Sequence, residues 1–155
     1  MGLAVGTALA QRGWSVHLLD LNGAQGLKAA KTLSATFHKV NATVYSQLSS
    51  AFEDIFRAEG RVDFVFGNAG IVERFNFYAA HPTTGPPPEP DMRVVEINLK
   101  AVYTTSYLAL HYFRQSPGGD KSLLLTASCG GLYGCPGSAM YSGTKRKSPA
   151  VGERG

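Results

Sequence analysis

Short apolar runs, each closed by a small or polar residue and separated by segments of helical period, restrict this chain more than any other feature does. Residues 2–12 are alanine-rich and read as a helix, with Gly13 placed as its C-terminal stop. Residues 14–21 read as a strand, with Val16, Leu18 and Leu19 nearly continuous. After Asn22, Leu27, Ala30, Leu33 and Phe37 recur at helical spacing, and a short extended piece is expected over residues 40–45. Leu48, Phe52, Ile55 and Phe56 mark a further helix that ends at Gly60. Residues 62–66 have the composition of a buried strand. Asp91 is placed to cap a long helix running to about Gln115, closed by Ser116-Pro117-Gly118-Gly119, and residues 122–127 form another apolar strand. Strands alternating with helices imply βαβ units and an α/β fold, a doubly wound parallel sheet with helices on both faces. In such a sheet ligands sit beyond the carboxyl ends of the strands, which here are Asp20, Asn41, Gly67-Asn68 and Ser128.

Composition removes several classes. The 155 residues make one domain at most; 44% are hydrophobic and 17% charged, ordinary for a soluble globular chain. Fifteen basic against eleven acidic side chains give a formal charge of +4, and Lys145, Arg146, Lys147 and Arg154 crowd the C-terminal end. No basic face with interleaved aromatics points to a nucleic-acid partner. No run approaches the ~18 apolar residues of a membrane span, and the N-terminus lacks the basic region of a signal peptide, so a cytoplasmic protein is expected. Cys129 and Cys135 are expected as free thiols, and His17, His38, His81 and His111 show no metal-ligand spacing. The segment from Thr83 to Pro90 reads as a proline-stiffened surface loop.

Tyr141 and Lys145 stand four apart with only small residues between them, a spacing that stacks phenol and ammonium on one helix face. A phenol with its ordinary pKa of about 10 is a poor acid–base catalyst at neutral pH. A neighbouring ammonium favours the phenolate, making a usable general acid/base. Ser128, ending an apolar strand, adds a hydroxyl that could polarise a substrate carbonyl.

Together with Asn98 on the preceding long helix, Ser128, Tyr141 and Lys145 resemble the Asn-Ser-Tyr-Lys tetrad of the short-chain dehydrogenase/reductase family. Gly67-Asn68-Ala69-Gly70-Ile71 resembles that family's Asn-Asn-Ala-Gly motif with Gly67 in place of the first Asn, and Ile97-Asn98-Leu99 matches the usual surroundings of the helix asparagine. The resemblance implies an oxidoreductase moving hydride between NAD(P) and a secondary alcohol or ketone. Tyr141 would exchange a proton with the substrate oxygen. Lys145 would assist the tyrosine and hold the nicotinamide ribose, Ser128 would orient the substrate oxygen, and Asn98 would hold a water linking Lys145 to solvent. Gly2 would be the last glycine of the cofactor loop, and Asn68, Ala69 and Gly70 would line the adenosine side. Asn41 would stand near the adenine. Asp20, following the second strand of the family sheet, would accept from the adenosine ribose hydroxyls and repel the extra phosphate of NADP, so NAD is expected. A capping role for Asp20 in the turn Asp20-Leu21-Asn22-Gly23 is the alternative. Arg114-Gln115-Ser116-Pro117-Gly118-Gly119 looks most like fungal relatives of 15-hydroxyprostaglandin dehydrogenase, which suggests a lipid-like or polyketide alcohol. Tyr103, Tyr107 and Tyr112 on the long helix suit core or dimer packing, and the resemblance makes a homodimer plausible for the full-length protein.

Two departures accompany the resemblance. The family's first strand and two of its loop glycines have no counterpart before Gly2, so the central position of the sheet is expected to be empty, with strand edges unpaired on either side. The family pattern is expected over residues 1–145, and residues 146–155 form a polar tail in which Pro149 would break a helix. These features suggest truncation at both ends, and a catalytically inactive fragment is the alternative reading.

Overall fold

The computed structural model describes residues 1–82 and 84–146. The polar tail beyond Arg146, with Pro149, lies outside the described residues, as does Thr83 of the proline loop. Helix α1 (Gly2–Ala10) runs into a turn where Gly13 takes a φ of +81°, and the chain then enters β1 (His17–Asp20). Helix α2 (Gly23–Leu33) starts under Asn22, whose side chain accepts from Gln25 N at 3.2 Å. It stops at Ser34, which adopts a left-handed φ of 53°.

That stop corrects one sequence expectation. Phe37 does not continue the helix; it belongs to β2 (Thr36–Lys39), and Tyr45, expected to end an extended piece, opens α3 (Tyr45–Glu59). The Phe37 ring still packs on α2, but from the strand: a Cβ on Gly26 would stand 2.0 Å from it. Its spacing from Leu33 mimics a helical turn because strand and helix share one apolar layer. Helix α3 ends at Gly60, whose φ of +69° reverses the chain into β3 (Phe64–Gly67).

The expected long helix is a composite. A single turn, α4 (Arg93–Val95), leads into a π turn over Glu96–Lys100 and then α5 (Ala101–Gln115). Asp91 stands one residue before the flanking Met92; its carboxylate accepts from Arg93 N at 3.1 Å and pairs with the Arg93 guanidinium at 2.5 Å. Those bonds hold its carboxyl down to about 2. Strand β4 (Ser122–Leu125) follows, and α6 (Ala139–Arg146) closes the described chain.

The strands form two parallel pairs. β1 pairs with β2 in the register His17 to Thr36, and β3 with β4 in the register Phe64 to Ser122. Helices α3 and α5 lie across both pairs. Their core is Val40, Leu48, Ala51, Phe52, Leu108 and Ala109, against which Leu19 of β1, Val65 of β3 and Leu123 of β4 pack. Phe52 stacks on Tyr112 with ring centroids 5.8 Å apart. Helix α1 lies against the first pair: a Cβ on Gly6 would be 3.4 Å from Leu18.

Between β1 and β3 runs a cleft of about 920 Å³, lined by residues of both strands and by α1 and α3. Among the described residues no strand pairs with the cleft-facing edge of either β1 or β3. The expected empty centre of the sheet is therefore present. Among the described residues, too, no helix is long and apolar enough to cross a membrane.

Candidate active site

Strand β4 delivers the chain to Ser128, whose hydroxyl accepts from Gly130 N at 3.1 Å and so starts a 3₁₀ turn over Cys129–Gly131. Helix α6 then returns over this turn, with Tyr141 and Lys145 on one face and the Lys145 Nζ 5.8 Å from the Tyr141 ring centroid. The approach is close because two glycines permit it. A Cβ on Gly130 would lie 3.1 Å from the Tyr141 ring, 3.5 Å from the Ser128 hydroxyl and 3.0 Å from the Cys135 sulfur. A Cβ on Gly131 would lie 2.6 Å from the Lys145 carbonyl oxygen. Ser128 and Tyr141 thus converge on one backbone position.

Lys145 is aimed by the strand behind it: its ammonium donates to the Thr126 carbonyl at 3.0 Å. It also stands 3.8 Å from where a Cβ on Gly70 would be, a point 3.3 Å from Asn98 Oδ1. Asn98 sits in the π turn and is 1% exposed. Its amide bonds Ile71 in both directions, accepting from Ile71 N at 2.9 Å and donating to Ile71 O at 2.8 Å. That pair of hydrogen bonds fastens the loop after β3 to the long helix. Single π turns inside helices concentrate at functional sites.

Two contributors carried no sequence signal. Thr126 acts through a backbone carbonyl and through its hydroxyl, which donates to Asn68 Oδ1 at 3.1 Å. Glu73 accepts from Tyr141 N at 3.0 Å, placing a carboxylate at the first turn of α6, where free amides favour negative charge. Its other oxygen is buried and has no hydrogen-bond partner among the described residues.

The residues expected to face a dinucleotide spread along the top of both strand pairs. Asp20 is exposed at the end of β1, one carboxylate oxygen accepting from Asn22 N at 2.8 Å, so the capping contact is formed. A carboxylate has about four acceptor sites, which leaves capacity for ribose hydroxyls. Asn41 accepts from Thr43 N and from the Thr43 hydroxyl, at 3.1 and 2.8 Å, and shapes the turn after β2. Gly2 opens α1 beside Asn68, whose amide nitrogen would be 3.1 Å from a Cβ there; Asn68 and Ala69 line the cleft. Asp20 and Asn41 belong to the first strand pair and the tetrad residues to the second, so the structure does not bring these two sets into contact. Asp20, as an acceptor, and Lys145, as a donor, are polar groups that could hold the two riboses of a nicotinamide dinucleotide. For the pyrophosphate the chain offers the free amides at the start of α1.

A second cavity, of about 550 Å³, is lined by Ser128, Cys129, Gly131, Leu132, Lys145 and Arg146. Both cysteines are free thiols.

Comparison with known proteins adds breadth to this geometry. The sequence model of the family described as short chain dehydrogenase matches residues 1–148. The short-chain dehydrogenase/reductase prx7 of Penicillium rubens is 48% identical over 154 residues, covering 94% of this chain and 55% of that protein. The 5'-hydroxyaverantin dehydrogenase of Dothistroma septosporum is 32% identical, covering 94% of this chain and 54% of that one. A solved structure of NAD+-bound xylitol dehydrogenase superposes with a TM-score of 0.79 at 26% identity, covering 94% of this chain and 55% of that chain. The chain spans about half the length of the curated relatives it matches. A tyrosine and lysine stacked over a serine turn, on a doubly wound α/β frame that the family pattern follows almost end to end, place this chain in the short-chain dehydrogenase family.

Proposed function

We propose that this chain carries the proton-transfer machinery of an NAD(P)-dependent oxidoreductase acting on a secondary alcohol or its ketone. The observation that carries the reading is the convergence of Ser128 and Tyr141 on Gly130, with Lys145 one turn along the same helix. A bound nicotinamide supplies the hydride acceptor or donor. In the oxidative direction the substrate hydroxyl gives its proton to the Tyr141 oxygen while its carbinol hydrogen leaves as hydride; reduction reverses both transfers. The Ser128 hydroxyl orients the same substrate oxygen. The Lys145 ammonium, fixed on the Thr126 carbonyl, would stabilise negative charge on the Tyr141 oxygen and would hold the ribose of a bound nicotinamide cofactor. Asn98, anchored on Ile71 through its amide, would hold the proposed water that links Lys145 to solvent.

The exposed carboxylate of Asp20 favours NAD, because a ribose phosphate would meet like charge there. The apolar Leu132 at the second cavity suits a largely apolar alcohol. Relatives named as 5'-hydroxyaverantin dehydrogenase and cyclopentanol dehydrogenase fit that choice. Exposed Tyr107 and Leu110 on α5 offer a surface for a homodimer.

The test is a thermal shift of the purified chain with NAD and with NADP, followed by turnover of secondary alcohols. A ligand bound to the folded state alone raises the melting temperature by mass action. The expected outcome is a shift with NAD exceeding that with NADP, and a loss of about 10²- to 10⁴-fold in turnover for Tyr141→Phe. A second reading, a catalytically inactive piece, is favoured by the open cleft between β1 and β3. Absence of any cofactor response in a chain that melts cooperatively would select it.

A further inference from the structure

The two ends of α6 are held by different means. At the Lys145 end the ammonium is bonded to the Thr126 carbonyl, and the backbone rests on Gly131. At the other end the Tyr141 ring lies over Gly130, while the Tyr141 backbone is held from outside the helix. Its N–H donates to Glu73 Oε2 at 3.0 Å, across 68 positions of chain.

Local sequence offers a different partner. Ser142 N donates to the Ser138 carbonyl, so Ser138 flanks the first turn and Tyr141 is the third residue inside it. A serine in that place ordinarily takes the third amide through its own hydroxyl. Here a distant carboxylate takes it, and at a cost: Glu73 Oε1 is buried with no hydrogen-bond partner among the described residues. A buried oxygen without a donor is unfavourable, more so on a charged group. A hydroxyl cap would supply the same bond without that loss, so the contact does more than close a helix end.

What it adds is a connection. Helix α6 is already joined to its own loop, where Cys135 N donates to the Ser142 hydroxyl at 3.2 Å. Glu73 joins it to a separate strap. Two residues earlier, Ile71 N and O are bonded to the buried Asn98 amide at 2.9 and 2.8 Å. At the start of the same segment Asn68 Oδ1 accepts from the Thr126 hydroxyl at 3.1 Å, and the Thr126 carbonyl holds Lys145. Residues 68–73 are thus fastened to β4, to the π turn and to α6.

We propose that Glu73 is a positioning residue for proton transfer, setting through the Tyr141 N–H where α6 places the Tyr141 oxygen relative to Ser128 and Lys145. The phenol oxygen is at the far end of its side chain, so a small tilt of the Tyr141 backbone is amplified there. Displacing a reacting group by about 1 Å costs on the order of 10²-fold in rate. What the contact requires of residue 73 is an acceptor oxygen facing the amide. The inference rests on Tyr141 being the acid/base group.

The test compares Glu73→Gln, which keeps an acceptor oxygen, with Glu73→Met, which keeps the side-chain length and has none. Both are made in the full chain, isotopically labelled at the tyrosine ring carbon that bears the oxygen, and Tyr141→Phe identifies the Tyr141 resonance. In Glu73→Met that resonance should shift and the Tyr141 amide should exchange about tenfold faster. In Glu73→Gln both should stay at the parent values. With a secondary alcohol, kcat should fall about 10- to 100-fold in Glu73→Met with KM nearly unchanged, and recover in Glu73→Gln. An unmoved resonance in a cooperatively melting Glu73→Met overturns the proposal, as does Glu73→Gln displaced as far as Glu73→Met. So does a lower melting temperature with resonance and kcat unchanged, which would make Glu73 a structural cap alone. If Glu73→Met does not melt cooperatively, Glu73→Gln decides: parent-like resonance and kcat uphold the proposal, and altered ones overturn it. A parent chain without turnover whose Tyr141 resonance still follows residue 73 keeps the positioning and sinks the oxidoreductase reading.

Discussion

At Gly131 an added Cβ would face the Lys145 carbonyl oxygen at 2.6 Å, and the atom in the way is backbone, which cannot swing aside. Gly131→Ala must therefore lift α6 off the serine turn. Overpacking of this kind costs about 1–3 kcal/mol. The expected result is a lower melting temperature together with a larger loss of turnover than the stability change explains, read by calorimetry and steady-state kinetics; an unchanged melt would show that the turn yields. Residue-scale chemistry was only partly legible. Tyr141 and Lys145 announce themselves by side-chain type and spacing and Ser128 by closing an apolar strand, whereas Asn98 was legible only through the family resemblance. Thr126 was not legible, because its bond to Lys145 uses a carbonyl that every residue owns, and Glu73 was not, because it meets Tyr141 across 68 positions of chain.

Elements were easier to read than their junctions. The helix stop at Gly60 and the strand at Phe64 follow from local pattern, whereas β2 was hidden because Phe37 keeps helical register with Leu33 after the chain has already turned at Ser34. The same β2 carries an acid-sensitive contact. His38 Nε2 lies 3.0 Å from His17 Nδ1, and His17 Nε2 lies 2.9 Å from Glu59 Oε1, so one imidazole chain links both strands of the first pair to the end of α3. Burial, then the charge of His17, hold His38 below its ordinary 6.5, with Asp54 opposing. The unfolded chain thus takes up the His38 proton at higher pH than the folded one, and stability declines as pH falls below about 6.5. Hydrogen bonds from His17 and Ser15 lower Glu59 below its usual 4.5, so its contribution persists above that value and is lost on further acidification. Denaturation midpoints measured from about pH 7 to 4 should fall continuously, and His38→Gln should flatten the upper part of the curve. A midpoint independent of pH over that range would refute the linkage.

Over the whole molecule stability is unevenly placed. The buried cluster of Leu48, Phe52, Leu108 and Ala109 sits under α3 and α5, on one face of both strand pairs, while the cleft between the pairs stays open. Hydrogen exchange of the chain alone should be slowest in α3 and α5 around Phe52 and Ala109, and fastest among strand residues at the free edges of β1 and β3. Equal protection of edges and core would mean that the edges find partners in solution. The doubly wound architecture was legible because strand and helix periods alternate clearly. The division into two pairs was legible only through the family resemblance, since nothing local in β1 or β3 records what lies beside it. That division gives the site an unusual mechanics. Asp20 and Asn41 ride on one leaf of the sheet, Ser128, Tyr141 and Lys145 on the other, and α3 with α5 forms the spine to which both leaves are bound. A small rotation about that spine would shift Asp20 and Asn41 relative to Ser128, Tyr141 and Lys145 while leaving the geometry within each set intact.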